Sequence, residues 1–318
     1  MSSHKSGLES HYIEVTDKIV TTALYPYETD QLLRTYETGT MSCIATESGL
    51  IFVDCGAIVK DAQKFRKDME QRFERPTTHL LLTHDHWHCT YGMTAFEDEK
   101  IDVVISSVGR SYFRKNFKNG VSDRWKERIL QAFPDDERLR ESILEGSLFI
   151  PNIGVPREKS FGPEAGQVVF RTCRGHSAAG AYVYVPSEKT LFGGGNLNTC
   201  YAQIVWPIDV VETYKEWEKL DIGHVIPGHG PVVPLSYVSR VREYFEQLLG
   251  KLRELKPEGL TAEQVLKHND LPEYPHKGKS WVEGSAYHTR ALERLVKYWY
   301  GRVLKETRVE EDDLMFIS

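Results

Sequence analysis

A chain of 318 residues with 40% hydrophobic content is long enough to bury a full core, which excludes a disordered or fibrous protein. Its formal charge of −6 leaves no basic excess to neutralise a phosphate backbone, so nucleic acid is not expected as a partner. Residues 1–10 are polar, without the apolar core of a signal peptide, and no later run approaches the roughly 20 apolar residues of a membrane span, so a cytoplasmic protein without membrane association is expected.

The first third alternates short β-rich runs with turns. Residues 11–22 and 41–46 read as strands, as does the run Leu50, Ile51, Phe52 and Val53, which closes in Asp54, Cys55 and Gly56. Residues 58–74 have the spacing of a charged amphipathic helix, and 78–82 form the next apolar strand. That strand runs directly into Thr83, His84, Asp85, His86, Trp87, His88 and Cys89. Polar groups placed where a buried strand stops are held on a rigid base, which is how α/β proteins expose chemistry.

After a strand at 102–106, residues 107–146 read as helical, with breaks near Gly120 and Pro134. Their alternating charges fit a solvated helical insert, and a lid over a site is the sharper reading. Strand signals return at 167–173, 180–186 and 189–192 and lead into turns, one holding Gly175, His176 and Gly180, the other Gly193, Gly194, Gly195 and Asn196. A helix at 212–219 precedes a short strand from His224 that ends in Gly228, His229 and Gly230. Helices at 235–255, 262–268, capped by Thr261, and 284–305 finish the chain, with loops at 257–260 and 270–280 and no internal repeat.

His84, His86 and His88 put three imidazoles into five residues of a chain that has 12 histidines, and metal coordination is the direct use of such density. His176 and His229 each follow a strand between small residues that let a ligand approach the backbone. The five cysteines, Cys43, Cys55, Cys89, Cys173 and Cys200, are odd in number in a chain too long to need staples, so reduced thiols are expected and one of them can serve as a ligand.

This order of motifs resembles the metallo-β-lactamase superfamily, whose pattern is His-x-His-x-Asp-His-x-x-Gly, then Gly-His-Ser/Thr, then an aspartate or cysteine after Phe-x-Gly, then Gly-His. The match runs over about residues 12–235, includes Gly92, and places Asp54 at the family's early supporting aspartate. A strand-ending turn residue is the plainer reading of Asp54. The resemblance implies an α/β fold: a four-layer αββα sandwich of two mixed sheets flanked by helices, spanning 1–235 with a helical insert at about 107–160, followed by a helical C-terminal extension over 236–318.

Carried over residue by residue, the resemblance implies a first metal held by His84, His86 and His176, an open three-histidine set that leaves a position for water. A second ion would fall to His88, Cys89 and His229, in place of the family's aspartate and two histidines. The chain departs from the pattern in having His88 and Cys89 where aspartate and histidine stand, and Gly195 where the family places a carboxylate or thiolate. Zinc, one ion or two, is the implied cofactor, with iron the lesser alternative. With the motif's aspartate gone, His88 or Asp85 is the candidate general base.

The function so implied is a metal-dependent hydrolase in which zinc-bound hydroxide attacks the carbonyl of a small-molecule ester, thioester, lactone or amide. A mononuclear iron dioxygenase acting on persulfides is the alternative, although its carboxylate ligand would stand at Gly195. A metal-binding pseudoenzyme is the third reading. Tyr25, Tyr27 and Tyr36 read as a substrate wall or as ordinary packing, and Trp87 as a substrate contact or a packed turn residue. Tyr287, His288 and Arg290 lie on the last helix, which either reaches over the metal face or packs through Leu292, Leu295 and Tyr298; the tyrosine-rich helices also offer a homodimer contact.

Overall fold

The computed structural model describes residues 12–22, 39–116, 126–127, 130–131, 137–146, 148–163, 166–199, 207–275, 293, 296–297 and 299–301. Strands β1 (Ile13–Thr16), β2 (Ile19–Thr21), β3 (Ser42–Thr46), β4 (Gly49–Val53), β5 (Thr77–Leu81), β6 (Asp102–Ser106) and β7 (Ile153–Val155) form a seven-stranded sheet in that order. It is antiparallel from β1 to β4 and parallel from β4 to β7. The second sheet has the order β12 (His224–His229), β11 (Thr190–Asn198), β10 (Ala181–Val185), β9 (Val168–Thr172) and β8 (Glu158–Phe161), with only β11 and β12 parallel.

The layering follows from strand alternation. Along β4, Ile51 and Val53 face an apolar layer shared with Val183, Phe192 and Ile226 of the other sheet, whereas Leu50 and Phe52 face a separate cluster with Phe65 and Met69. Those two residues lie on helix α1 (Val59–Phe73), whose buried positions Ala62, Phe65 and Met69 recur at helical spacing. The second sheet alternates likewise: Phe192 and Ile226 turn inward, and Leu191 and Val225 turn outward onto α5 (Pro207–Trp217) and α6 (Leu235–Leu255). Helices, sheet, sheet and helices therefore stack as four layers, the expected αββα sandwich.

α6 is continuous with this architecture. Its Tyr237, Val241, Phe245 and Leu248 share one buried cluster with Val210, Tyr214 and Trp217 of α5. Residues 293, 296–297 and 299–301 are helical, and Val296 and Trp299 join the same cluster. Helix α7 (Ala262–Leu266) begins at Thr261, whose hydroxyl accepts the Gln264 N–H while the Gln264 side chain accepts the Thr261 N–H, a reciprocal cap.

Two stretches differ from the sequence expectation. Helices α3 (Ser107–Asn116) and α4 (Glu137–Glu145) occupy part of the helical insert, but β7 and β8 within 153–161 are strands, one extending each sheet. These strands are three and four residues long, too short for alternation to register. The glycine-rich run 193–196, expected as a turn, continues β11 to Asn198 with breaks in its register against β12. Glycines mark an irregular strand here because other backbones and rings press on it. Among the described residues, no helix is long and apolar enough to cross a membrane.

Candidate metal centre

The site forms where β4, β5, β11 and β12 end. β4 stops at Asp54, whose left-handed backbone (φ 54°) turns the chain and aims its carboxylate across the end of β5. Asp54 Oδ1 accepts the Thr83 N–H at 2.7 Å, and Oδ2 accepts the Thr83 hydroxyl at 2.7 Å. The same Thr83 oxygen stands 3.0 Å from His84 Nδ1. With Asp54 ionised, Thr83 gives its one hydroxyl proton to the carboxylate and accepts from His84 Nδ1–H. That tautomer leaves the Nε2 lone pair of His84 for another use.

His84 Nε2 is fully buried and has no hydrogen-bond partner among the described residues. An orphaned buried nitrogen costs stability unless something binds it. What surrounds it is other imidazoles: ligand-capable nitrogens of His84, His86, His88 and His176 lie within 4.8 Å of one another. His176 Nε2 is 2.9 Å from His86 Nδ1. His229, at the end of β12, brings its ring centroid to 4.7 Å from that of His88. The donor set therefore fits a transition-metal ion of the kind that nitrogen ligands favour.

Electrostatics keeps these donors ready. Burial, and after it the neighbouring His229, holds His86 down at about 4; burial and His176 hold His229 at about 3. His84 and His88 are pushed well below the ordinary imidazole range, again by burial first and by the other rings second. These four are neutral near pH 7, the form that ligates. Burial raises the Asp54 carboxyl to about 7 against the two bonds from Thr83, and a cation beside His84 would favour its ionised form.

The other predicted residues take distinct places. His88 joins the histidine group, and its Nδ1 faces Cys89 Sγ at 3.3 Å. Cys89 is completely buried and groups with Asp54 and His84. Burial pushes its thiol well above the ordinary range, with Asp54 adding to the shift. Asp85 has one buried carboxylate oxygen without a partner among the described residues, while Ser177 bonds to its carboxylate. Gly92 packs where a side chain would collide with the Cys55 carbonyl, and its N–H bonds to Gly56. Trp87 packs against the cluster beneath the first sheet. Tyr25, Tyr27, Tyr36, Cys200, Tyr287, His288 and Arg290 lie outside the described residues.

Three residues of the sequence motifs have supporting roles that only the structure reveals. Thr83 was visible only as the residue before the motif. Asn196 Oδ1 accepts the His176 N–H at 2.9 Å, and the Asn196 carbonyl accepts the Tyr214 hydroxyl, so this side chain fixes the loop that carries His176. Gly195 acts by lacking a side chain: a Cβ there would collide with the His176 ring and lie 3.0 Å from His84 Cε1. The two sheets are joined beside the site, because the Ala181 N–H of β10 bonds to the Thr83 carbonyl at 2.7 Å.

No family model matches the chain, and no curated relative matches it. Solved structures do. A metallo-β-lactamase from Pontibacter korlensis is 18% identical, with a TM-score of 0.54 over 74% of this chain and 98% of its own. The DIM-1 metallo-β-lactamase is 14% identical, with a TM-score of 0.54 over 74% of this chain and 96% of its own. The inverting sec-alkylsulfatase Pisa1 from Pseudomonas sp. is 15% identical, with a TM-score of 0.65 over 94% of this chain and 52% of its own. This chain thus spans about half the length of the alkylsulfatase. The likeness shows that the chain has the metallo-β-lactamase fold; the histidine-rich cluster that could hold a metal is a feature of this chain's own geometry.

Proposed function

We propose that this chain is a metal-dependent hydrolase, with zinc as its ion and a small-molecule ester, thioester, lactone or amide as its substrate. The observation that carries the reading is the convergence of His84, His86, His88 and His176 around the unpartnered His84 Nε2, at the strand ends of this fold. His84, His86 and His176 would hold the ion. A divalent ion held by neutral imidazoles supplies Lewis acidity, which polarises a carbonyl and lowers the pKa of water to about 7.

The chain's own residues supply the rest. Thr83 and Asp54 fix the tautomer of His84, and Asn196 holds the backbone of His176. His88, kept neutral by burial, or Asp85, whose carboxyl is raised by burial and bonded by Ser177, would take or return a proton. The dioxygenase alternative needs a carboxylate at position 195, and the rings of His176 and His84 leave no room for one.

The test is hydrolysis of a panel of esters, thioesters, lactones, β-lactams and secondary alkyl sulfates by protein stripped with a chelator and reloaded with zinc. The alkyl sulfates belong in it because the alkylsulfatase covers 94% of this chain. Turnover that disappears on stripping, returns on reloading and is lost in His84→Ala is the expected result. Turnover indifferent to stripping, or none across the panel by zinc-loaded protein, would overturn the reading.

A further inference from the structure

We infer that Tyr214, Tyr237 and Tyr274 form a rack beneath the end of β11 that positions His176 and His229, so that the chain beyond β12 takes part in the metal centre. This rests on the metal-binding reading above and adds positioning residues to it.

The end of β11 is poorly held by its own sheet. β10 pairs with β11 as far as Phe192, and the register against β12 breaks between Phe192 and Gly194 and again between Gly194 and Asn198. Residues 194–199 are nevertheless buried, so their carbonyls need donors from outside the strand ladder. Tyrosine hydroxyls supply three of them. Tyr214 of α5 donates to the Asn196 carbonyl, Tyr274 to the Asn198 carbonyl at 2.6 Å, and Tyr237 of α6 to the Thr199 carbonyl at 3.1 Å. All three rings are buried in one cluster, with the Phe245 ring of α6 centred 6.4 Å from that of Tyr214 and 6.2 Å from that of Tyr274.

The segment so held grips both histidine loops. Asn196 Oδ1 accepts the His176 N–H at 2.9 Å, and its Nδ2 donates to Cys173 Sγ at 3.2 Å, so the loop from β9 to His176 is fixed at two points. Asn198 pairs with His229 across β11 and β12. Thr199 donates its N–H to the His229 carbonyl at 3.1 Å and its hydroxyl to the same carbonyl at 3.3 Å.

Tyrosine suits this task because its ring fills an apolar layer while its hydroxyl reaches a backbone acceptor at the edge. Phenylalanine would fill the same layer and leave a buried carbonyl without its donor, which loosens the segment without opening a cavity. Tyr244 provides the contrast. It is buried in the same cluster, its ring centred 5.0 Å from that of Tyr274, and its hydroxyl has no hydrogen-bond partner among the described residues.

The test is binding of cobalt(II) to metal-free full-length protein, read as affinity and visible spectrum with no substrate present. Tyr214→Phe, and the double variant Tyr237→Phe with Tyr274→Phe, should each weaken the ion about 3- to 10-fold and alter the spectrum, while Tyr244→Phe stays within about twofold of wild type with its spectrum unchanged. If the double variant does not fold, as judged by circular dichroism, its two single variants take its place. Wild-type affinity and spectrum in either Tyr214→Phe or the double variant, or an equal change in Tyr244→Phe, would overturn the inference while leaving the metal-binding and hydrolase readings standing. Cobalt bound without hydrolysis by the zinc-loaded protein would sink the hydrolase reading alone, and wild-type protein that binds no cobalt would remove both.

Discussion

His176 Nε2 and His86 Nδ1 stand 2.9 Å apart, although one residue comes from the loop after β9 and the other from the loop after β5. Two ligands of a tetrahedral zinc ion are separated by about 3.3 Å, so the two sheets deliver this pair almost at ligating distance. Backbone bonds cross between the sheets beside this pair, from the Ala181 N–H to the Thr83 carbonyl at 2.7 Å and from the Thr40 N–H to the Gly228 carbonyl at 2.8 Å.

Truncating either partner should therefore remove the ion and keep the fold. His86→Ala and His176→Ala are expected to lower zinc affinity by well over about tenfold in competition with a colorimetric chelator, with the far-ultraviolet spectrum unchanged. Full zinc affinity in both variants would place the ion elsewhere.

Thr83 is the joint between Asp54 and His84. Thr83→Val keeps the shape but loses both the bond to Asp54 Oδ2 and the acceptor for His84 Nδ1. Zinc affinity should fall roughly 10- to 100-fold, and Thr83→Ser should recover most of it. If serine and valine behave alike, the hydroxyl does not orient the ligand.

Gly195→Ala adds one carbon against the His176 and His84 rings. A cost of about 1–3 kcal/mol in chemical denaturation is expected, together with weakened zinc binding, because the rings must move. Wild-type values for both quantities would show that the rings have space to yield.

The histidines also set the acid limit of the metal-free protein. In the unfolded chain imidazole takes a proton near pH 6.5, whereas burial holds His86 at about 4 and His229 at about 3 in the fold. Their folded values are depressed, so the associated stability is complete above about pH 6.5 and is lost as pH falls towards 4 and then 3. Each histidine contributes a slope of up to about 1.4 kcal/mol per pH unit in that window. Denaturation of stripped protein at successive pH values should show this decline, and His229→Gln should lessen it; a flat profile between pH 6.5 and 4 would contradict it.

Away from the site, Ser142 of α4 takes the place of a missing N-cap on α1. Its hydroxyl accepts the Val59 N–H at 2.9 Å and donates to the Ala57 carbonyl at 2.8 Å. Ser142→Ala should cost about 1–2 kcal/mol in urea denaturation with zinc affinity unaltered.

How much of this the sequence discloses varies by element. Leu50 to Val53 and the stretch ending at Leu82 announce buried strands by continuous apolarity, and the histidines that follow inherit their positions from those strands. Ile58 carries no polar capping group, and the substitute, Ser142, is more than 80 residues away in sequence, so no local pattern reveals it. The run from Gly193 to Gly195 looks like a turn because glycine is permissive. Its actual reason is tertiary: Trp217 beside Gly193, Thr83 beside Gly194 and two histidine rings beside Gly195 occupy the space where side chains would be. The spacing of His88 suggested a replacement for aspartate, but the direction of Cys89 towards His88 Nδ1 emerges only once the short helix α2 (Trp87–Thr90) is in place.

These histidines are expected to hold a transition-metal ion. Anomalous diffraction from zinc-soaked crystals, recorded on either side of the zinc edge, tests it most directly. An anomalous peak is expected within bonding distance of nitrogens from His84, His86 and His176. Ordered, well-resolved imidazoles with no peak among them, or a peak bound only by other residues, would contradict it.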